Sequence, residues 1–330
     1  MNNKIIVVLG PTASGKTKLG VYLANKFNGE IVSADSRQVY KGMDVGTGKD
    51  LSQFSITNFQ FSNKSKVQNS KSKIQIPYHL IDVVSPNTEF NLAKYQKLAY
   101  EAIDDILKRD KIPILVGGTG LYLQAVVDNY NLSNVKPNKK LREKLENQTE
   151  QQLFDVLKKI NPIKAEELNN SDKKNKRRLI RCIEMCGKQI LAPGKDTGGH
   201  KSNYQFLLIG LIHSKEILHE KIYKRLIERL EKQDMIGEVE RLHTQQKVSW
   251  KKLQNFGLEY KYISLYLQKK VNYQELVEKI DIASRQFAKR QITWFKRWER
   301  NGAKIYWVKN KKQAEKLIKN FLKVRHSPSA

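Results

Sequence analysis

Gly10, Pro11, Thr12, Ala13, Ser14, Gly15, Lys16 and Thr17 spell G-x-x-x-x-G-K-[ST] directly after an apolar run at residues 5–9. Between a buried strand and a helix N-terminus, such a loop curls backbone N–H groups around an anion. Lys16 adds a point charge and Thr17 offers a hydroxyl to Mg²⁺. The following helix contributes the positive end of its dipole. The chemistry is therefore phosphate or diphosphate binding. The loop alone does not say which ligand is held or what is done with it.

Elements that position this loop are legible around it. Apolar runs predict strands at 4–9, 30–33, 78–84 and 113–116, with helices at 16–27 and 92–109. Short apolar runs separated by helical lengths indicate parallel βαβ units in a doubly wound sheet. Ligands of such sheets sit beyond the carboxyl ends of the strands. Those ends carry the phosphate loop, Ala34-Asp35-Ser36 and Gly117-Gly118-Thr119, so three polar turns converge on one crevice. Residues 51–76 hold six Ser, four Lys and no acid, which reads as a surface loop without readable chemistry.

From about residue 128 to 201 the strand signal disappears and helical patterns take over, at 140–146 and 151–160 among others. Residues 191–203 read as a linker, and 205–212 return as a buried strand. A helical block between strands of one sheet is best explained as an inserted domain. The expected division is a core of residues 1–127 and 202–330 with a helical insertion at 128–201. Long helices are predicted at 215–240 and 273–300. On the second, Phe287, Gln291, Trp294 and Trp298 share one face, while Arg285, Lys289, Lys296, Arg297 and Arg300 crowd the others. An aromatic stripe of this kind reads first as core, and the basic face is the better candidate for phosphate contacts.

The charge balance is the compositional outlier: 61 Lys+Arg against 33 Asp+Glu, or +28, with an isoelectric point near 9.8. Part of this is lysine spread over a solvated surface, yet a field of this size favours polyanions and makes nucleic acid a leading partner. With no long apolar span and no lipidation motif, an anionic membrane surface is disfavoured as the partner. Cys182 and Cys186, four apart in a helical run with no nearby His, read as buried small side chains rather than a zinc site. The first strand begins at once, so a cytoplasmic location is expected.

Taken in order, GPTASGKT at 10–17, SADSRQVYKGMDVGTGK at 33–49, PYHLIDVVSP at 77–86, ILVGGTGLYLQA at 114–125 and KRQITWFKRW at 289–298 resemble the bacterial tRNA dimethylallyltransferase (tRNA isopentenyl transferase) family. The resemblance spans nearly the whole chain, and the stretch from Asp35 to Asp44 is its most specific part. It implies an α/β fold with a P-loop NTPase-like parallel sheet core and an inserted all-helical domain. The implied reaction moves the dimethylallyl group of dimethylallyl diphosphate to N6 of adenosine 37, beside the anticodon of tRNA, with Mg²⁺ required. The phosphate loop then holds a prenyl diphosphate and hydrolyses no nucleotide.

The resemblance also implies roles. Asp35 matches the general base, Thr119 the residue beside the reacting centre, and Arg225 an arginine on the diphosphate. Asp35, Ser36, Arg37 and Gln38 match the adenosine-reading loop. Arg142, the segment with Arg177, Arg178 and Arg181, and the segment with Lys289, Arg290, Gln291 and Trp294 match further tRNA contacts. The substrate is an anticodon stem-loop bearing A36-A37, and a monomer is expected because one tRNA spans both domains. Departures are a longer stretch after Lys49, Gly48 where alanine is common, and different neighbours around Gly257.

A small-molecule kinase using ATP fits the phosphate loop alone, but needs neither the basic insertion nor the net charge. A non-catalytic RNA-binding protein would not need Lys16, Thr17, Asp35 and Thr119 together. An adenylate isopentenyltransferase acting on free nucleotide would have little use for the basic helices.

Overall fold

A computed structural model of the chain describes residues 3–49, 54–56, 76–130, 132, 138–189 and 204–323. The chain divides into two compact units, Met1–Asn129 with Ser202–Ala330, and Tyr130–Lys201. The first unit begins β1 (Lys4–Leu9), α1 (Lys16–Lys26), β2 (Gly29–Ala34), β3 (Phe54–Ile56), β4 (Ile76–His79), α2 (Leu92–Lys108), β5 (Ile112–Gly117) and α3 (Gly120–Val127). The second unit holds α4 (Lys139–Glu146), α5 (Glu150–Ile160), α6 (Pro162–Glu166), α7 (Asn170–Lys173) and α8 (Lys176–Gln189). The first unit then resumes with β6 (Gln205–Leu211), α9 (Lys215–Lys232), α10 (Met235–Thr244), α11 (Trp250–Phe256), α12 (Leu258–Leu267), α13 (Tyr273–Arg300), β7 (Ile305–Val308) and α14 (Lys311–Lys323).

Seven strands form one sheet in the order β3-β4-β2-β5-β1-β6-β7, and every pairing is parallel. β1 sits between β5 and β6, and its residues Ile5–Leu9 have no exposed surface. Such a continuous apolar run is what a strand covered on both faces requires. Side chains alternate between faces: Ile5, Val7 and Leu9 join the layer containing Tyr95, Leu123, Leu226 and Phe295. Ile6 and Val8 pack with Leu19, Leu23, Ala314 and Ile318 on the other side.

The helical unit has its own small core, from Leu145, Leu153 and Leu157 to Leu179, Ile183 and Cys186. Its helices start where the sequence caps them: Thr149 and Gln152 form a capping box for α5, and Asn161 with Pro162 at the first position opens α6. No helix among the described residues is long and apolar enough to cross a membrane.

Several expectations are corrected. The strand expected at 78–84 stops at His79, because Leu80 (φ 63°) and Asp82 (φ 54°) take left-handed conformations. The run instead folds over the neighbouring loop, with Val83 N–H donating to Val39 O at 2.8 Å. The helix expected at 215–240 is two helices. Asp234 is left-handed (φ 54°) and caps α10, which breaks an apolar pattern that runs across the join. Residues 51–76 are not wholly loop: Phe54–Ile56 is the edge strand, registered Phe54↔Ile76, and 57–75 lie outside the described residues. The linker expected at 191–203 also lies outside them. β7 and α14 add to the elements expected from sequence.

Candidate active site

The phosphate loop leaves β1 and enters α1 through Gly15, whose φ of 87° is the left-handed region that favours glycine. Ser14 N–H donates to Pro11 O at 3.3 Å, and Lys16 Nζ reaches back to the same carbonyl at 3.3 Å. From α9, Arg225 donates to Thr12 Oγ1. On the next strand end, Asp35 Oδ1 accepts Arg37 N–H at 2.8 Å, which fixes the carboxylate at the tip of β2. After β5, Thr119 Oγ1 accepts Ser36 N–H at 3.2 Å. The Asp35 and Thr119 turns are thus tied together.

Gln291 joins the third turn to these. Its Oε1 accepts Thr12 N–H at 2.8 Å and its Nε2 donates to Gly118 O at 2.8 Å. Only 6 % exposed, it braces the phosphate loop against the Gly117-Gly118-Thr119 turn from α13. Expected among the tRNA contacts, it lies in the cavity lining with one acceptor and one donor of its amide engaged.

A second loop closes the cavity from the other side. The Glu238 carboxylate accepts N–H groups from Asp44 (2.9 Å), Val45 (2.6 Å) and Gly46 (3.1 Å), together with the Tyr260 hydroxyl (2.7 Å). Lys49, its side chain fully buried, donates to Tyr40 O, Asp44 Oδ1 and Asp82 Oδ1. These bonds hold residues 44–49 as a rigid wall.

The enclosed cavity measures about 470 Å³. Thr12, Lys16, Thr17, Asp35, Ser36, Arg37, Gln38, Thr119, Arg225, Arg290 and Gln291, all singled out in the sequence, line it. Its electrostatics favour an anion. Desolvation in the cavity lowers the Lys16 ammonium to about 8, with Arg225 and Arg229 pushing the same way and Asp35 opposing them. Burial and the neighbouring Arg229 likewise push Arg225 down, against Asp35 and Glu259. Crowded, desolvated cations of this kind are relieved by a bound polyanion.

Gln38 is 8 % exposed and accepts the Ser33 hydroxyl at 2.9 Å. The Arg37 guanidinium lies over the Phe256 ring, 5.3 Å from its centre. Gly10, Pro11, Ala13, Ser14 and Gly15 shape the loop without lining the cavity. Lys289 is exposed and turns to a separate groove with His213, Lys215 and Lys296. Trp294, expected in a tRNA-contacting segment though its stripe reads first as core, packs against its neighbours. Its indole N–H donates to Gln124 Oε1 at 3.1 Å, and Arg297 covers its ring at 4.5 Å.

Arg142, Arg177, Arg178 and Arg181 belong to the helical unit. Arg142 makes a two-point pair with the buried Glu184 (2.6 and 2.8 Å), which Arg181 joins at 3.2 Å. Burial works to raise the Glu184 carboxyl, but these donors and the Asn138 N–H win and hold it at about 2. Arg177 and Arg178 are exposed on α8, with Arg178 paired to Asp172.

Sequence reasoning missed Arg229, Glu238, Glu259 and the bracing role of Gln291. Arg229 follows Arg225 by one helical turn, a spacing that could have drawn attention to it. Glu238 meets its backbone partners at Asp44–Gly46 across 192–194 residues, and no local pattern announces that.

A parallel sheet with a phosphate loop at the end of an interior strand, beside polar turns at the ends of β5 and β2, defines a P-loop α/β protein with an anion site beyond the strand ends. The IPP transferase family model matches residues 38–298, and the isopentenyl transferase model matches residues 3–65. The chain is 43% identical over 308 residues to tRNA dimethylallyltransferase 1 of Syntrophus aciditrophicus (strain SB), covering 93% of this chain and 94% of that one. It is 37% identical over 337 residues to tRNA dimethylallyltransferase 1 of Geotalea uraniireducens (strain Rf4), covering 99% and 100%. The crystal structure of the tRNA isopentenylpyrophosphate transferase from Bacillus halodurans superimposes with a TM-score of 0.63 at 32% identity, covering 97% and 96%. The chain belongs to the IPP transferase family.

Proposed function

We propose that this protein is a tRNA dimethylallyltransferase, moving the dimethylallyl group of dimethylallyl diphosphate to N6 of adenosine 37 in tRNA. The observation that carries the reading is one cavity in which Lys16, Arg225 and the phosphate loop face Asp35 and Thr119, in a chain of this family. The N6 amine forms a bond to the allylic carbon, the bond from that carbon to the diphosphate oxygen breaks, and the N6 proton passes to Asp35. Negative charge builds on the departing diphosphate. Lys16 and Arg225, both in the cavity lining, would stabilise that charge with little reorganisation. Thr119, tied to Ser36 N–H, keeps the two turns in register around the adenine.

Among the described residues no three His, Cys, Asp or Glu side chains cluster as a metal cage. Thr17 and Asp35 nevertheless line the cavity with hard oxygens, which fits Mg²⁺ arriving with its substrate phosphates and keeping few protein ligands. When bound it neutralises charge on the diphosphate. The target base leaves the anticodon stack to enter the cavity, where Arg37, Gln38 and Arg290 receive it. Arg177, Arg178 and Lys289 supply contacts to the tRNA backbone, and the protein acts as a monomer.

The test is incubation with dimethylallyl diphosphate, Mg²⁺ and an unmodified tRNA bearing A36-A37, followed by nucleoside mass analysis. Prenylated adenosine at position 37 is expected; ATP consumption without prenyl transfer would sink the reading. Asp35→Asn should abolish transfer while tRNA binding stays within about twofold, because the proton acceptor is lost and the charge contacts remain. Full activity of that variant excludes Asp35 as the base.

A further inference from the structure

Arg229 stands one turn beyond Arg225 on α9, about 6 Å further along the helix axis. It is 7 % exposed and lines the same cavity. Its polar contacts are Gly46 O at 3.5 Å and Glu259 Oε1 at 3.6 Å, both long. A buried ion pair recovers its desolvation cost only through close geometry and a full set of hydrogen bonds. Elsewhere this chain pairs arginine with carboxylate tightly: Arg142 with Glu184 at 2.6 Å, and Arg285 with Asp281 at 2.5 Å. A guanidinium with five donors, buried and held loosely, has donors to spare for a cavity ligand.

The surroundings fix where those donors point. A side chain at position 48 would collide with Arg229 Nη2, so Gly48 leaves the room the guanidinium fills. The guanidinium thus rests against the Gly46–Gly48 wall of the cavity that Lys16 and Arg225 also line. Arg229 also pushes down both Lys16 and Arg225, which places it within electrostatic reach of the loop's own cations. Two carboxylates, Asp35 and Glu259, offset three cations.

We infer that Arg229 is a second guanidinium contact for the prenyl diphosphate, taking the phosphoryl group that the phosphate loop does not hold. The inference rests on the proposed function. Arg225, bonded to Thr12, stays with the loop, whereas Arg229 is parked on Glu259 and Gly46 O until a diphosphate offers shorter, charge-assisted bonds. The pair lets the cavity distinguish a diphosphate from a single phosphate, because the latter satisfies the loop alone.

The test is calorimetric titration of the intact protein, with Mg²⁺, by inorganic pyrophosphate and separately by inorganic phosphate. Arg229→Met leaves the half-buried Glu259 without its arginine, so the double variant Arg229→Met/Glu259→Gln is measured beside it, together with Arg229→Lys. The double variant should lose about ten- to a hundredfold in pyrophosphate affinity, the worth of a charge-assisted bond, and less than about twofold for phosphate. The KM for dimethylallyl diphosphate should rise in parallel while the KM for tRNA holds, and Arg229→Lys should recover part of the loss. A double variant that melts like the wild type and binds pyrophosphate as tightly overturns the inference, as does an equal loss for both anions. Wild-type protein that shows this pyrophosphate pattern yet prenylates no tRNA upholds the contact and refutes the proposed function instead.

Discussion

Replacing Gln291 by Met keeps the length of the side chain and removes both of its hydrogen bonds. The wild-type bonds, each 2.8 Å, connect the phosphate loop at Thr12 N–H with Gly118 O. Leaving a buried donor or acceptor unpaired costs about 1–3 kcal/mol, so two rigid loops would lose roughly 2–6 kcal/mol. Both loops border a cavity that admits water, which recovers part of this, and about 2–3 kcal/mol is the expected loss of stability. The melting temperature should fall by several degrees. The sharper consequence is catalytic. Without the brace, Lys16 and Thr119 no longer keep a fixed separation, and a displacement on the order of 1 Å can cost about a hundredfold in rate. Steady-state kinetics well below the melting transition should show kcat/KM for dimethylallyl diphosphate reduced about ten- to a hundredfold, with tRNA affinity within about twofold of wild type. Gln291→Glu keeps the acceptor for Thr12, loses the donor to Gly118 and adds a negative charge beside the anion site, so it should raise the KM for the diphosphate further. A Gln291→Met protein that melts earlier but turns over at the wild-type rate would show that the residue is merely structural and refute the brace.

Glu184 predicts a pH response of the helical unit. Its carboxyl is held at about 2, below the ordinary 4.5, so the stabilisation is fully present above about pH 4.5 and drains away as pH falls toward 2. The shift corresponds to at most about 3–4 kcal/mol. Protection factors in α4 and α8 of the intact chain, taken against the intrinsic exchange rate at each pH, should fall as pH drops from about 4.5 toward 2, and Glu184→Gln should flatten that fall; protection that stays constant in the wild type would contradict it. Exposed Arg177 and Arg178 should act through phosphate charge alone. Arg177→Gln/Arg178→Gln should reduce the slope of log affinity for tRNA against log salt by about 1.5, and an unchanged slope would remove α8 from the interface.

What could be read in the chain, and what could not, divides by the range of the interactions involved. The phosphate loop, the strands at its flanks and the capped helices of the second unit are local. Their signals are apolar runs, a glycine at a left-handed position, and Thr or Asn at helix starts, all within a few residues of each other. Asp35, Thr119 and Arg225 were placed on one cavity because strand ends in a parallel sheet must face the same way, and because the motifs resemble a known family. The break at Asp234 was not legible, since the apolar repeat continues through it and one left-handed residue leaves no periodic trace. The early end of β4 at Leu80 escaped for the same reason.

The sequence by itself determined that the chain builds an anion-binding loop between a buried strand and a helix, in a parallel α/β core with many basic side chains. Only the tertiary structure decided which polar residues serve that loop. Gln291 reads as one more residue on an amphipathic helix, yet it spans two catalytic turns 173 and 279 positions away. Trp294 is spent on packing, with its indole N–H on Gln124 and Arg297 over its ring. Glu238 organises a cavity wall, and Arg229 lines the same cavity with loosely held donors. Each of these roles depends on where distant backbone lies in space, and periodicity along the chain carries no record of that.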